Sequence, residues 1–207
     1  NNTTASNNTA VGFQAAYSGA NNSNMTAVGY QALYTGSYAS TAVGYQAGYA
    51  NNSNFNTYIG YLAGLSDVSS GAAYNVYVGA EAGKNFGASA NNNNTAVGGG
   101  AMMGSGTVGN NTGIGNSAFG ASSLVSLTSG SANAAIGSSA LRSNTSGNYN
   151  TALGGSAATD GGAPPGGCCC RWLCGTASRG AAGCVASSAR RSGACRNPPE
   201  RGLHRKR

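Results

Sequence analysis

The sequence predicts an all-β solenoid of about nine coils over residues 1–158, followed by an irregular tail over 159–207. Three observations carry this. A glycine recurs nine times at short intervals, each time after an aliphatic residue and three positions before Ala. Of 207 residues, 35 are Gly, and each interior Gly costs a helix about 1 kcal/mol relative to Ala, which argues against an ordinary helical protein. No apolar run approaches the roughly 18 residues of a membrane-spanning helix.

The chain is compositionally two chains. Residues 1–158 are neutral, with Lys84 and Arg142 against Asp67 and Glu81; they hold all 11 Tyr and no Cys, Pro or Trp. Residues 159–207 hold all six Cys, all four Pro, Trp172 and most of the Lys and Arg, so the net charge of +7 describes only the tail. His204 is the only histidine, which excludes histidine-dependent triads and two-histidine metal sites.

Periodicity is sought before any local assignment. The unit reads Asn-Thr-Ala-Val-Gly-x-x-Ala, then a variable polar stretch. Its glycines are Gly12, Gly29, Gly44, Gly60, Gly79, Gly98, Gly115, Gly137 and Gly154. The residues before them are Val11, Val28, Val43, Ile59, Val78, Val97, Ile114, Ile136 and Leu153. The recurring piece is short, β-branched and ended by Gly, which fits a strand of four or five residues. Asn and Gly tolerate left-handed backbone angles, so Asn21–Asn24 and Asn91–Asn94 read as turns. Strand, turn, short strand and turn make one coil. Nine coils stacked at roughly 4.8 Å give a rod on the order of 40 Å long.

Alternation along a strand assigns the faces. The expectation is that Val11 and its equivalents point inward as an aliphatic ladder. Ala10, Ala27, Ala42, Ala96, Ala135 and Ala152 then point outward, as a narrow column that another chain can approach. Such a core is thin, and a single coil cannot bury enough surface alone, so oligomerisation is expected.

The segments Thr9-Ala10-Val11-Gly12, Thr26 to Ala32 and Thr41 to Ala47 resemble the head repeats of trimeric autotransporter adhesins and related repeats of phage tail-fibre proteins. The resemblance covers about residues 5–158. It implies a left-handed parallel β-roll that associates as a trimer and is displayed outside a cell or virion for attachment. The chain departs from the adhesin pattern in showing no signal peptide, coiled-coil stalk or membrane anchor, and from the tail-fibre pattern in showing no self-cleaving chaperone-like domain. It reads as a piece of a longer fibre or a chain cut short.

Several residues are candidates for function. Phe13, Tyr30, Tyr45 and Tyr61 follow the glycine directly, and Tyr17, Tyr34 and Tyr49 lie five positions after it. Stacked coils turn these into aromatic ladders, which either shield the thin core or offer an amphipathic surface to a host protein or glycan. The later coils carry Ala80, Gly99, Asn116, Ser138 and Gly155 there, which confines the patch to one end. Thr occupies the third position before the glycine at Thr9, Thr26, Thr41, Thr57, Thr95, Thr112 and Thr151, a rank that resembles ice-binding solenoids but also follows from β-propensity. Asn7, Asn24, Asn51 and Asn110 begin Asn-x-Ser/Thr triplets, which an Asn-rich repeat produces by composition. Asp67 and Glu81 read as solvated rather than as an acid/base pair, and Gly98–Gly100 lack the Lys-Ser/Thr of a phosphate loop.

In the tail, residues 161–167 read as a breaker, and the Cys spacing at 168–170, 174, 184 and 195 matches no zinc pattern. Three readings stand for 159–207: a frameshift product of GC-rich DNA, a disordered basic tail, or a disulfide-stapled module. The reading for the whole is an extracellular attachment protein that binds by displayed surface, with no catalytic set and no cofactor or metal. Its expected partners are its own copies, as a homotrimer, and a host surface protein or glycan, with no specific nucleic acid and no membrane span. The alternative is a monomeric ice- or surface-binding solenoid using its Thr column.

Overall fold

The computed structural model describes residues 4–18, 21–68, 73–86, 93–104, 106 and 111–158, and the backbone of 168–170. Expectations for the rest of the tail, including Trp172 and the basic end, lie outside the described residues. Nine three-residue strands mark nine coils: β1 Thr9–Val11, β2 Thr26–Val28, β3 Thr41–Val43, β4 Thr57–Ile59, β5 Val76–Val78, β6 Thr95–Val97, β7 Ser117–Phe119, β8 Ala134–Ile136 and β9 Thr151–Leu153. Each pairs in parallel with the next in sequence, Thr9 opposite Thr26, Thr26 opposite Thr41, and so on, which is the topology of a β-solenoid. A tenth strand, β10 Cys168–Cys170, pairs with β9, so the sheet runs one strand past the end of the sequence repeat. No helix among the described residues is long and apolar enough to cross a membrane.

The strands are short because the backbone turns at a glycine after each one. These glycines have φ between +119° and +138°, and a Cβ at any of them from Gly12 to Gly137 would sit within 2.7 Å of the carbonyl group of the glycine one coil on. Both the dihedral and the close approach require Gly. Beyond it, positions +2 and +4 are left-handed in every coil, as at Gln14 and Ala16, Gln31 and Leu33, or Leu62 and Gly64. The residue two before each strand is left-handed too, from Asn7 to Tyr149. These bends do not interrupt coil-to-coil bonding. Gln31 N–H donates to the Phe13 carbonyl of the preceding coil at 2.8 Å, and Leu33 N–H to the Ala47 carbonyl of the following one at 3.0 Å. Backbone polar groups are thereby paired around the coil, which offsets the roughly 1–2 kcal/mol a left-handed L-residue costs.

The faces are the reverse of the sequence expectation. Ala27, Ala42, Ala96, Ala135 and Ala152, in the middle of their strands, are buried inside the coil, and only the end-coil Ala10 is exposed. The proposed core column points outward: Val11, Val43, Ile59, Ile136 and Leu153 are exposed, and Val28, Val78 and Val97 half-buried. The physical reason is the width of the coil. In the coils of β2, β6, β7 and β8 a large side chain fills the interior from position +4, as Leu33, Met102, Leu124 and Leu141, opposite a strand Ala. Where the strand instead carries Tyr58 or Tyr77, position +4 is Gly. A Cβ at Gly48 would sit 2.5 Å from the Tyr58 ring, and one at Gly64 or Gly83 would overlap the ring of its own coil's Tyr58 or Tyr77. In these six coils bulk is exchanged between the two walls at nearly constant volume, as close packing demands.

The phase is fixed by the residue before the strand. At this inward position stand Asn8, Met25, Ser40, Asn56, Asn75, Asn94, Asn116, Asn133 and Asn150. From Asn56 to Asn133 the side-chain oxygen of each Asn accepts the N–H of its counterpart in the next coil: Asn75 N–H on Asn56 at 2.7 Å, Asn94 on Asn75 at 2.9 Å, Asn116 on Asn94 at 2.8 Å, Asn133 on Asn116 at 2.9 Å and Asn150 on Asn133 at 2.9 Å. The amide groups of Asn94, Asn116 and Asn133 donate to the carbonyls of Gly113, Gly130 and Gly147. With Asn inward, Thr points out, Ala in and Val out.

The seventh coil also departs from the sequence reading. Its strand is Ser117–Phe119 and its glycine is Gly120, with φ of +133°. Ile114 and Gly115 precede that strand and belong to neither repeat column. Gly115, with φ of +67°, is the left-handed residue two before the strand. Thr112 is likewise outside the Thr column, whose member here is Ser117, and Ala121 rather than Asn116 follows the glycine. Ser123 replaces the Ala at position +3 and satisfies its buried hydroxyl by donating to the Gly120 carbonyl at 2.8 Å.

Candidate functional site

The outward strand positions form one face with two columns. One is Thr9, Thr26, Thr41, Thr57, Val76, Thr95, Ser117, Ala134 and Thr151; the other is Val11, Val28, Val43, Ile59, Val78, Val97, Phe119, Ile136 and Leu153. Pairing in register holds each column one strand spacing apart. Ile59 is 41% exposed and Ile136 47%, although both lie within the stack. A contiguous apolar stripe of this kind differs from the isolated exposed aliphatics of an ordinary surface.

Across the glycine column lies the aromatic flank. Phe13, Tyr30, Tyr45 and Tyr61 stack in succession with ring centroids 5.4, 5.1 and 5.5 Å apart. Tyr17, Tyr34 and Tyr49 stack at 5.2 and 4.9 Å. Between these columns runs a glutamine ladder, Gln31 donating to Gln14 at 2.7 Å and Gln46 to Gln31 at 2.8 Å. The sequence-predicted tyrosines are thus brought together as two ladders, with Tyr17, Tyr30, Tyr45 and Tyr61 exposed and Tyr34 and Tyr49 half-buried. A third aromatic row, Tyr38–Phe55–Tyr74, escaped the sequence reading; Phe55 and Tyr74 each precede their repeat glycine by five positions, but Tyr38 precedes Gly44 by six.

Charge contributes little to either surface. Lys84 pairs with Glu81 at 2.8 Å on the rod exterior. Asp67, read from the sequence as solvated, is fully buried. It accepts the Tyr58 hydroxyl at 2.6 Å and the Asn75 amide at 2.9 Å. Burial first, and then the Asp67 charge, push the Tyr58 and Tyr77 phenols well above their ordinary value, so both remain neutral. Asn51 is also buried, its amide donating to Ser37 at 2.6 Å, so its triplet is closed to glycosylation in the folded chain. Among the described residues no group of three or more His, Cys, Asp or Glu could hold a metal ion. No protein-family model, no curated protein and no solved structure matches the chain.

Proposed function

We propose that this chain is the rod of an extracellular attachment fibre, adhesin-head-like or tail-fibre-like. It assembles as a homotrimer through the Thr/Val face and meets a host surface protein or glycan through the aromatic flank. The carrying observation is the outward apolar column in all nine coils, eight aliphatic residues and Phe119. Each half-exposed Val, Ile or Leu leaves on the order of 1 kcal/mol of burial unrealised. Nine in a row sum to on the order of 10 kcal/mol per chain, comparable with the cost of association. The rod works by displayed surface and not by chemistry.

Light scattering coupled to size exclusion tests this on the full chain. A trimer that Val78→Lys and Val97→Lys convert to folded monomers supports the reading; a wild-type folded monomer overturns it. One observation favours a second reading. Thr26, Thr41 and Thr57 stand in consecutive register beside the aliphatic column on one face, an arrangement that suits an ice- or surface-binding monomer. Thermal hysteresis by a monomer would select that alternative.

A further inference from the structure

The aromatic flank has a property that its use as a contact surface does not need. Tyr30 and Tyr45 lie with ring planes 8° apart and centroids at 5.1 Å; Tyr45 and Tyr61 are at 20° and 5.5 Å. In the second column Tyr17 and Tyr34 are at 10° and 5.2 Å, and Tyr34 and Tyr49 at 14° and 4.9 Å. Four tyrosine–tyrosine pairs are therefore held parallel and adjacent by the backbone register of successive coils. Each has at least one exposed member except Tyr34–Tyr49, where both rings are half-buried. We propose that these two columns are an oxidative modification site, at which a haem-peroxidase-type oxidant drawing on hydrogen peroxide joins neighbouring coils by dityrosine bonds.

The chemistry balances. Each of two neighbouring phenols loses one electron and its hydroxyl proton, giving two phenoxyl radicals with spin at the ring Cε carbons. The radicals combine to form one Cε–Cε bond. The hydrogens on the two joined carbons leave as protons, and the phenolate oxygens take up protons from solvent, restoring two aromatic phenols. The net loss of two electrons and two protons reduces one hydrogen peroxide to two waters. Parallel stacking supplies the proximity that makes coupling within the rod outrun coupling between molecules.

The molecule contains its own controls. Tyr38 and Tyr74 are exposed but each packs on Phe55, which forms no such radical, and Tyr149 is exposed with no stacked ring among the described residues. Tyr58 and Tyr77 neighbour each other at 5.8 Å, but are tilted by 39° and fully buried, with the Tyr58 hydroxyl bonded to Asp67. Phe13 caps the first column and ends it.

The test treats the full chain with haem peroxidase and hydrogen peroxide, then reads dityrosine fluorescence, mass on a denaturing gel and the linked peptides by mass spectrometry. The expected product keeps the mass of one chain and carries links within 30–45–61 and 17–34–49. Tyr34→Phe with Tyr45→Phe preserves the stacks but removes the middle partner of both columns, and is expected to bring the yield to background. Changing Tyr38, Tyr74 and Tyr149 together to Phe is expected to leave it unchanged. Absence of dityrosine, or products dominated by Tyr38, Tyr74, Tyr149 or links between chains, would overturn the proposal. The outcome does not depend on whether the chain is a monomer or a trimer.

Discussion

In the coils of β1–β4 the residue after the glycine is Phe13, Tyr30, Tyr45 or Tyr61; in those of β6–β9 it is Gly99, Ala121, Ser138 or Gly155. The inward column changes in the opposite sense. The first coils carry Asn8, Met25, Ser40 and Asn56, whereas the last carry Asn94, Asn116, Asn133 and Asn150. One end of the rod is tied coil to coil by stacked rings on the outside, the other by a chain of amides within. The backbone is the same in both, with the same left-handed positions and the same glycine turn. The fold therefore demands the inward and left-handed columns and leaves the outer ones free. Aromatic residues confined to one end are a local addition, not a requirement of the solenoid.

The largest expected effect separates the two glycines of the seventh coil. Gly120→Ala places a methyl against the Gly137 carbonyl at a backbone angle Ala does not adopt, and is expected to cost about 4 kcal/mol or to prevent folding. Gly115→Ala meets nothing within 4 Å and should cost only about 1 kcal/mol in a urea titration. Equal losses would restore the register read from the sequence.

Asn116→Ala removes the acceptor of the Asn133 N–H and the donor to the Gly130 carbonyl, both buried. A loss of about 3 kcal/mol is expected, with hydrogen exchange opening in the coils of β6–β9. Tyr45→Ala removes two exposed ring stacks and should cost about 1–2 kcal/mol, with exchange confined to the coils of β1–β4. A larger loss at Tyr45 than at Asn116 would make the outer ladder the stronger tie and break the comparison.

The smallest effect concerns Tyr77, whose buried hydroxyl lies near the Asn94 side chain but meets no partner at hydrogen-bonding geometry among the described residues. Tyr77→Phe is expected to leave stability unchanged or raise it by about 1 kcal/mol. It should also flatten the alkaline limb of the stability curve. Because the folded pKa of this phenol is raised, its contribution is complete below the ordinary value of 10.0 and is lost as pH rises beyond it. Thermal unfolding of both proteins from neutral to strongly alkaline pH checks this. Tyr58, raised in the same direction, keeps part of the slope in the variant.

The solenoid, its coil count and the aromatic ladders were legible because each rests on a period. The phase of the strand was not, because Ala and Val alternate equally well either way. The Asn of the repeat unit held the answer: a residue that must bond the next coil's N–H inside the rod carries Ala inward with it. The same residue would have corrected the seventh coil, where Asn116 precedes Ser117 as Asn56 precedes Thr57. Asp67 was misread because its partners, Tyr58 and Asn75, lie on either side of it in sequence and converge only when the coil closes.

Among the described residues, the hydrogen bonds that the inward Asn oxygens accept from the next coil's backbone N–H span 17 to 22 residues, whichever end of the rod they lie in. Assembly of the chain thus never requires closing a loop much longer than one turn, and the entropy of each closure is nearly the same at the first coil and the ninth. Growth by such a rod resembles adding rows to a crystal: the first two coils bear the cost of nucleation, and each later one is templated by an edge that already presents its amides in register. Length can then be altered by whole coils without redesigning the remainder, which makes the repeat a unit of measure as well as a unit of structure.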